Sequence, residues 1–199
     1  MNGAPRAGKS SVAAAIQESF DGVWVNIGAD SQIASLPEKF RPGIGLRPGG
    51  ERPDLEPLVC ALFAALYASI AAHSRLGINV IADVGHHEAY SRPLHILRDC
   101  SRLLTGLPSL FVGVRCPVEE ILQRRERANA AGEGQYLTSM PGGAIPEPVL
   151  LWQREAHLPG IYDLEADTSA LSPQACAVLI KEKIGGARTA SPSLSALAQ

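Results

Sequence analysis

Gly3-Ala4-Pro5-Arg6-Ala7-Gly8-Lys9-Ser10 stands directly before Ser11-Val12-Ala13-Ala14-Ala15-Ile16. The first stretch fits G-x-x-x-x-G-K-[ST] in full, and the second has the period of a helix. Each residue type has a physical reason to be there. Glycines let backbone N–H groups curl around phosphate oxygens, and a helix starting near Lys9 aims its positive dipole end at them. A lysine at the place of Lys9 reaches β- and γ-phosphates, and a hydroxyl at the place of Ser10 ligates Mg²⁺. Gly3, Ala4, Pro5, Arg6, Ala7, Gly8, Lys9, Ser10 and Ser11 are therefore the expected cofactor-binding set, with ATP and Mg²⁺ as the cofactors. Lysine is otherwise scarce: the only others are Lys39, Lys181 and Lys183.

Working outward, the chain alternates apolar, β-branched runs with helical stretches. Val23–Ile27, Ile78–Ala82, Leu110–Val114 and the weaker Tyr162–Ala166 read as strands buried on both faces, as in a parallel sheet. Helices are expected over Lys9–Phe20, Leu55–Arg75, Pro93–Leu104, Pro117–Asn129, Glu147–His157 and Ser172–Ile184. Strand and helix in alternation predict an α/β fold, a P-loop NTPase-like doubly wound parallel sheet flanked by helices. Residues 1–186 read as a single domain and 187–199 as a disordered tail of small residues. Two Gly/Pro-rich stretches interrupt the alternation: Arg41–Pro57, read as a loop over one end of the sheet, and Ala130–Pro148, read as a lid.

A loop of this kind should follow a buried central strand, yet only Met1 and Asn2 precede Gly3. Either the natural start lies upstream, which is our expectation, or the first strand is truncated. In the second case the sheet has an open slot at its middle, and neighbouring strands lose ladder hydrogen bonds and buried contacts.

Composition narrows the remaining classes. Hydrophobic residues are 46% and charged residues 19% of the 199, with a formal charge of -2, which argues against disorder and against nucleic acid as a partner. The longest apolar run, Leu58–Ala72, is short of the roughly 20 residues a membrane span needs, so it reads as a buried helix and no membrane partner is expected. Cys60, Cys100, Cys116 and Cys176 show neither metal-ligand nor disulfide spacing and suit a cytoplasmic protein. The partner expected is a small hydroxyl-bearing molecule, with a homo-oligomer left open.

Ligands of open α/β sheets bind beyond the carboxyl ends of the strands. Asp30 and Asp83 stand at such ends; each could be a helix cap or turn residue, or a group of the site, and Asp83 is the expected partner of Ser10 at the metal. His86-His87-Glu88 lacks metal-ligand spacing and reads as a solvated loop, with a substrate contact as second choice. Arg124, Arg125 and Arg127 end a helix beside the lid. They suit the helix dipole there, and equally the charge of a transferring phosphate. No N-K-x-D guanine reader occurs, which argues against a GTPase switch.

These features together resemble the chloramphenicol phosphotransferase family of small P-loop kinases. The resemblance runs through Gly3–Ser10, Gly28-Ala29-Asp30-Ser31-Gln32-Ile33, Ile81-Ala82-Asp83-Val84, Phe111–Cys116 and Tyr162-Asp163-Leu164-Glu165-Ala166-Asp167-Thr168. It implies an ATP-dependent kinase, of antibiotic-resistance type, that phosphorylates a hydroxyl of a small molecule. It also implies that Asp30 is the base that takes the hydroxyl's proton. On this reading Lys9 and one of Arg124, Arg125 and Arg127 complete the catalytic set. The first strand, the Arg41–Pro57 stretch and the His86-His87 loop depart from the family where an acceptor would be held. A metabolic small-molecule kinase of shikimate or gluconate type, or a nucleotide-binding protein without catalysis, remains the alternative.

Overall fold

The computed structural model describes residues 1–134, 136–186 and 190–199. Its elements follow the chain as α1 (Lys9–Ser19), β1 (Trp24–Asn26), α2 (Ala29–Ala34), α3 (Glu56–Arg75), β2 (Asn79–Ile81), α4 (Ile96–Leu103), β3 (Val112–Arg115), α5 (Val118–Ala130), α6 (Glu147–Glu155), β4 (Leu164–Asp167), α7 (Pro173–Gly186) and α8 (Pro192–Leu197). Short 3-10 turns at Glu38–Phe40 and Gly43–Leu46 lie between α2 and α3. The result is an α/β fold with parallel strands.

β1 pairs with β2 and β3 pairs with β4, both in parallel. Asn2 joins the two pairs by bridging to Val84 on one side and Gly113 on the other. The order is thus β1, β2, the Asn2 stub, β3, β4. The stub is pinned from both sides: Asn2 N–H donates to Val112 O (2.8 Å), Val114 N–H to Asn2 O (2.8 Å) and Val84 N–H to Met1 O (3.0 Å). Its side chain carries as much. Asn2 Nδ2 donates to Ala156 O (2.7 Å), and Asn2 Oδ1 accepts from His86 N–H (2.7 Å).

Two apolar layers flank the sheet. One gathers Val12, Ala13, Ile16, Val114, Ile121, Cys176 and Ile180, from α1, α5 and α7 around β3. The other gathers Val59, Phe63, Leu66, Ile70, Leu97 and Cys100, from α3 and α4. Helix α3 is long and apolar enough to cross a membrane by length and composition. Its buried residues Val59, Phe63, Leu66, Tyr67 and Ile70 recur at helical spacing, so one face is committed to the core.

Three sequence expectations need correction. The tail was read as disordered from residue 187; Ala187, Arg188 and Thr189 lie outside the described residues, but Pro192–Leu197 forms α8. Ser191 caps that helix by accepting from Leu194 N–H, and Asp163 accepts from both Ser191 Oγ and Ser193 N–H, so Leu194 is buried in the α3/α4 layer. Second, the His86-His87 loop is not solvated: both histidines are buried. Tyr67 and Asn2 satisfy His86, while His87 stacks on Tyr90 with ring centroids 4.2 Å apart. Third, Asp30 does not cap a helix. Gly28 is the N-cap of α2, a helix the sequence reading did not foresee, and Asp30 stands in its first turn.

Candidate functional site

The site grows from the Gly3–Ser10 loop, where the Asn2 stub turns into α1. Gly3 runs so close to β3 that a Cβ would stand 2.4 Å from Val114 O, so no other residue fits there. Gly8 has φ +96° and precedes α1 directly, which leaves the first N–H groups of the helix aimed into the loop.

Lys9 and Ser10 meet Asp83 here. Lys9 Nζ donates to Gly3 O (2.9 Å) and Ala4 O (3.0 Å) and lies 3.7 Å from Asp83 Oδ1. Ser10 Oγ donates to Asp83 Oδ2 at 2.7 Å. Burial pulls the Lys9 ammonium below its ordinary pKa, while Asp83 and then Asp30 push it back up. Of the two acids the sequence reading singled out, Asp83 lies beside the cation. Ser10 and Asp83 together offer a hydroxyl and a carboxylate, oxygen donors of the kind a hard divalent cation takes. Among the described residues, no cluster of three or more His, Cys, Asp or Glu side chains suits a metal.

One cavity of about 990 Å³ joins this loop to the carboxyl ends of β1 and β2. Lys9, Ser10, Asp30 and Asp83 line it, with Arg124 and Arg127 on the loop side. Ile33, Leu46, Phe63, Val84 and Trp152 give it an apolar wall. Gly85 admits Trp152 to that wall, since a Cβ there would stand 3.1 Å from the indole ring. His87 braces the wall from behind: its Nε2 meets Leu46 O at 2.9 Å and its ring meets Trp152 edge-on at 5.2 Å.

The arginines separate. Arg125 is buried, donates to Leu137 O (3.2 Å) and does not line the cavity, so it anchors the segment after α5. Arg124 donates to Thr168 O (2.8 Å), Thr168 Oγ1 (3.0 Å) and Glu120 Oε1 (3.1 Å). Thr168 Oγ1 in turn donates to Ala7 O at 2.6 Å, so Arg124 and Thr168 tie α5, β4 and the loop together. Arg127 is exposed at the rim and donates only to Gln123 Oε1 among the described residues (3.2 Å). The sequence reading quoted Thr168 only as part of a resemblance, and it missed Trp152, which carries no local signal.

The glycine-poor half of the Gly3–Ser10 loop touches the Ala130–Pro148 segment. The Arg6 guanidinium lies 4.3 Å over the Tyr136 ring and 3.4 Å from Glu133 Oε2. Asn129 braces the same segment by donating to Tyr136 O and accepting from Tyr136 N–H. The stretch read as a lid is therefore beside the loop and in contact with it.

Two solved structures share this architecture. A sugar kinase from Janibacter sp. aligns over 99% of this chain and 95% of its own, with TM-score 0.53 and 17% identity. The protein APE1195 aligns over 93% and 92%, with TM-score 0.52 and 14% identity. No protein of curated function matches the chain. A family model described as chloramphenicol phosphotransferase-like protein matches residues 1–185.

Proposed function

The chain belongs to the chloramphenicol phosphotransferase-like family, and on that premise we propose that it is an ATP- and Mg²⁺-dependent kinase acting on a hydroxyl of a small, neutral molecule. The observation that carries this reading is the single cavity that joins Lys9, Ser10 and Asp83 to Asp30 and an apolar wall. The scaffold is of P-loop NTPase type, with the loop at the switch between the two halves of the sheet.

The residues suit the groups they would hold. Backbone N–H groups of the Gly3–Ser10 loop and the start of α1 would cradle the triphosphate, with Lys9 supplying positive charge. Ser10 and Asp83 would hold Mg²⁺, which offsets charge on the phosphate oxygens when bound. Asp30 would orient the acceptor hydroxyl and take its proton as the oxygen bonds to phosphorus. Arg127 would reach in from the rim, while Arg124 keeps the loop and α5 in register. Positioning and charge account for most of such a transfer, so this short list suffices.

The acceptor half favours a neutral substrate over a sugar acid. Arg41, Arg47 and Arg52, the arginines nearest Asp30 in sequence, are all engaged elsewhere. Arg41 donates to Ala34 O and Leu36 O, Arg47 pairs with Glu51, and Arg52 pairs with Asp54. None lines the cavity, whose acceptor wall is Ile33, Leu46, Phe63, Val84 and Trp152. A hydroxylated antibiotic such as chloramphenicol meets that description. Cys60, Cys100, Cys116 and Cys176 are free thiols, in keeping with a cytoplasmic setting.

The test is Asp30→Asn, which keeps the side chain's size and removes the carboxylate. Transfer should fall by roughly 10²- to 10⁴-fold while ATP affinity, measured by calorimetry, stays unchanged. Transfer within about tenfold of the parent would remove Asp30 as the base and make Asp83 the next candidate.

A further inference from the structure

His87 is buried against the apolar wall and is not itself among the residues that line the cavity. It touches that wall at two places drawn from distant parts of the chain. Its Nε2 lies 2.9 Å from Leu46 O, and its ring meets the Trp152 indole at 5.2 Å with the planes 88° apart. Tyr90 stacks on the ring with centroids 4.2 Å apart. A carbonyl can only accept, so Nε2 carries the hydrogen, and in a neutral imidazole Nδ1 is then a bare acceptor. That Nδ1 is buried and has no hydrogen-bond partner among the described residues.

A second proton on His87 would fall on Nδ1 and put a charge where nothing accepts it. A buried unpaired charge is costly, and the face of Tyr90 compensates only part of that cost. The charged groups around the ring are engaged with one another. On α6, Glu155 accepts from Arg154 Nε at 2.7 Å, and beside Leu46 the Arg47 guanidinium pairs with Glu51 at 2.7 Å. On the same loop Glu88 accepts from the N–H of His95, which precedes α4, and Arg98 on α4 pairs with Asp99. The His95 imidazole shares with His87 a small cavity of about 160 Å³. Burial keeps His86 and Tyr90 neutral. Burial also pulls His87 below the ordinary imidazole pKa, opposed first by the Leu46 carbonyl and then by Glu155.

We infer that neutral His87 is a positioning residue for the acceptor: it holds Leu46 and Trp152 in one wall, and its protonation loosens that half of the cavity while the Gly3–Ser10 half stays as it is. The inference rests on the kinase reading above for the wall's role as acceptor site. Its physical cause is local. The Nε2–H bond fixes the carbonyl of Leu46, the last residue of the 3-10 turn at Gly43–Leu46, and the ring fixes the indole of Trp152. A charged ring must turn toward water or a new acceptor to satisfy Nδ1, and both contacts are lost as it turns. Lys9 bonds to Gly3 O and Ala4 O and Ser10 bonds to Asp83, none of them a partner of His87, so the phosphate half is not carried along.

The experiment takes chloramphenicol as the acceptor probe and ADP with Mg²⁺ as the nucleotide probe, both by calorimetry between about pH 7.5 and about pH 5. Trp24 and Trp152 are the only tryptophans, so a Trp24→Phe chain reports on the wall through Trp152 emission with no substrate present. In the parent, chloramphenicol affinity should fall several-fold toward acid, and Trp152 emission should change over the same range. His87→Phe keeps a stacked ring without the donor and should bind chloramphenicol about 10-fold more weakly at every pH. Glutamine can place an amide N–H where Nε2 stands but does not titrate. His87→Gln should therefore recover most of the affinity lost in His87→Phe, and lose both the emission change and the acid dependence. ADP affinity should follow one pH profile in all three. An acid dependence of chloramphenicol binding that persists in His87→Gln, or an ADP profile that the variant alters, overturns the inference and leaves the kinase reading standing. A parent that binds ADP but no chloramphenicol at either pH overturns the acceptor reading itself, and the inference with it. If a variant does not fold, the parent and Trp24→Phe still decide: affinity and emission must share one midpoint below about pH 6.5, and separate midpoints overturn the inference.

Discussion

Lys9 and His86 show how differently two buried basic groups are used. Lys9 is buried beside an acid: Asp83 lies at 3.7 Å, and it and Asp30 oppose the lowering of the Lys9 pKa by burial. Lys9→Ala should abolish transfer and leave Tm nearly unchanged, since the loop's path depends on Gly3 and Gly8; near-parental turnover would remove the phosphate-loop assignment. His86 has no acid beside it. Burial, then His87 and the Met1 amine, hold it neutral with a pKa of about 3, and burial holds His157 at about 4. Both folded pKa values lie below the unfolded 6.5, so the unfolded chain binds more protons between them. Stability should therefore fall as pH drops from about 6 to about 4.5, above the range where carboxylates titrate. Urea midpoints across that window check it, and His86→Gln should flatten the slope; a flat parental profile contradicts the assignment. The His86-His87 pair also shows what sequence could not convey. Its partners Asn2, Tyr67, Leu46 and Tyr90 are scattered along the chain, and only folding brings them together.

Among the elements, α5 separates residues that the sequence presents as equals. Arg124, Arg125 and Arg127 lie within a single turn or so, yet helical spacing aims them three ways. Arg127→Ala should lower kcat by about 10-fold or more with Tm unchanged, whereas Arg125→Ala should lower Tm and leave kcat per folded molecule intact. Equal effects on kcat would contradict the division. Apolar period and start signals located the main strands and six of the helices to within a few residues, because both reflect burial that each segment carries in itself. Helices α2 and α8 escaped because each is six residues long and has no amphipathic repeat. Their order comes from contacts, α2 on α3 and α8 on α4. That Asp30 and Asp83 would line the cavity was legible from their places at strand ends; that Trp152, from α6, would do so was not, because its route into the wall depends on Gly85.

On the proposed function the whole molecule would divide labour along one cavity, lined by the Gly3–Ser10 loop for phosphate chemistry, Asp30 for proton transfer and apolar residues for the acceptor. Gly85→Ala probes that division. Its methyl would press on Trp152, so KM for the acceptor should rise several-fold while KM for ATP stays constant, and a shift in both would mean the halves are not separate. The central claim is the transfer itself. Purified protein is incubated with ATP and Mg²⁺ against hydroxylated antibiotics and sugar acids, and the acceptors are read by mass. The account predicts one added phosphoryl group on a neutral, apolar acceptor and none on the acids. ATP bound or hydrolysed with every acceptor unchanged would contradict it, and would leave a nucleotide-binding protein without a kinase's chemistry.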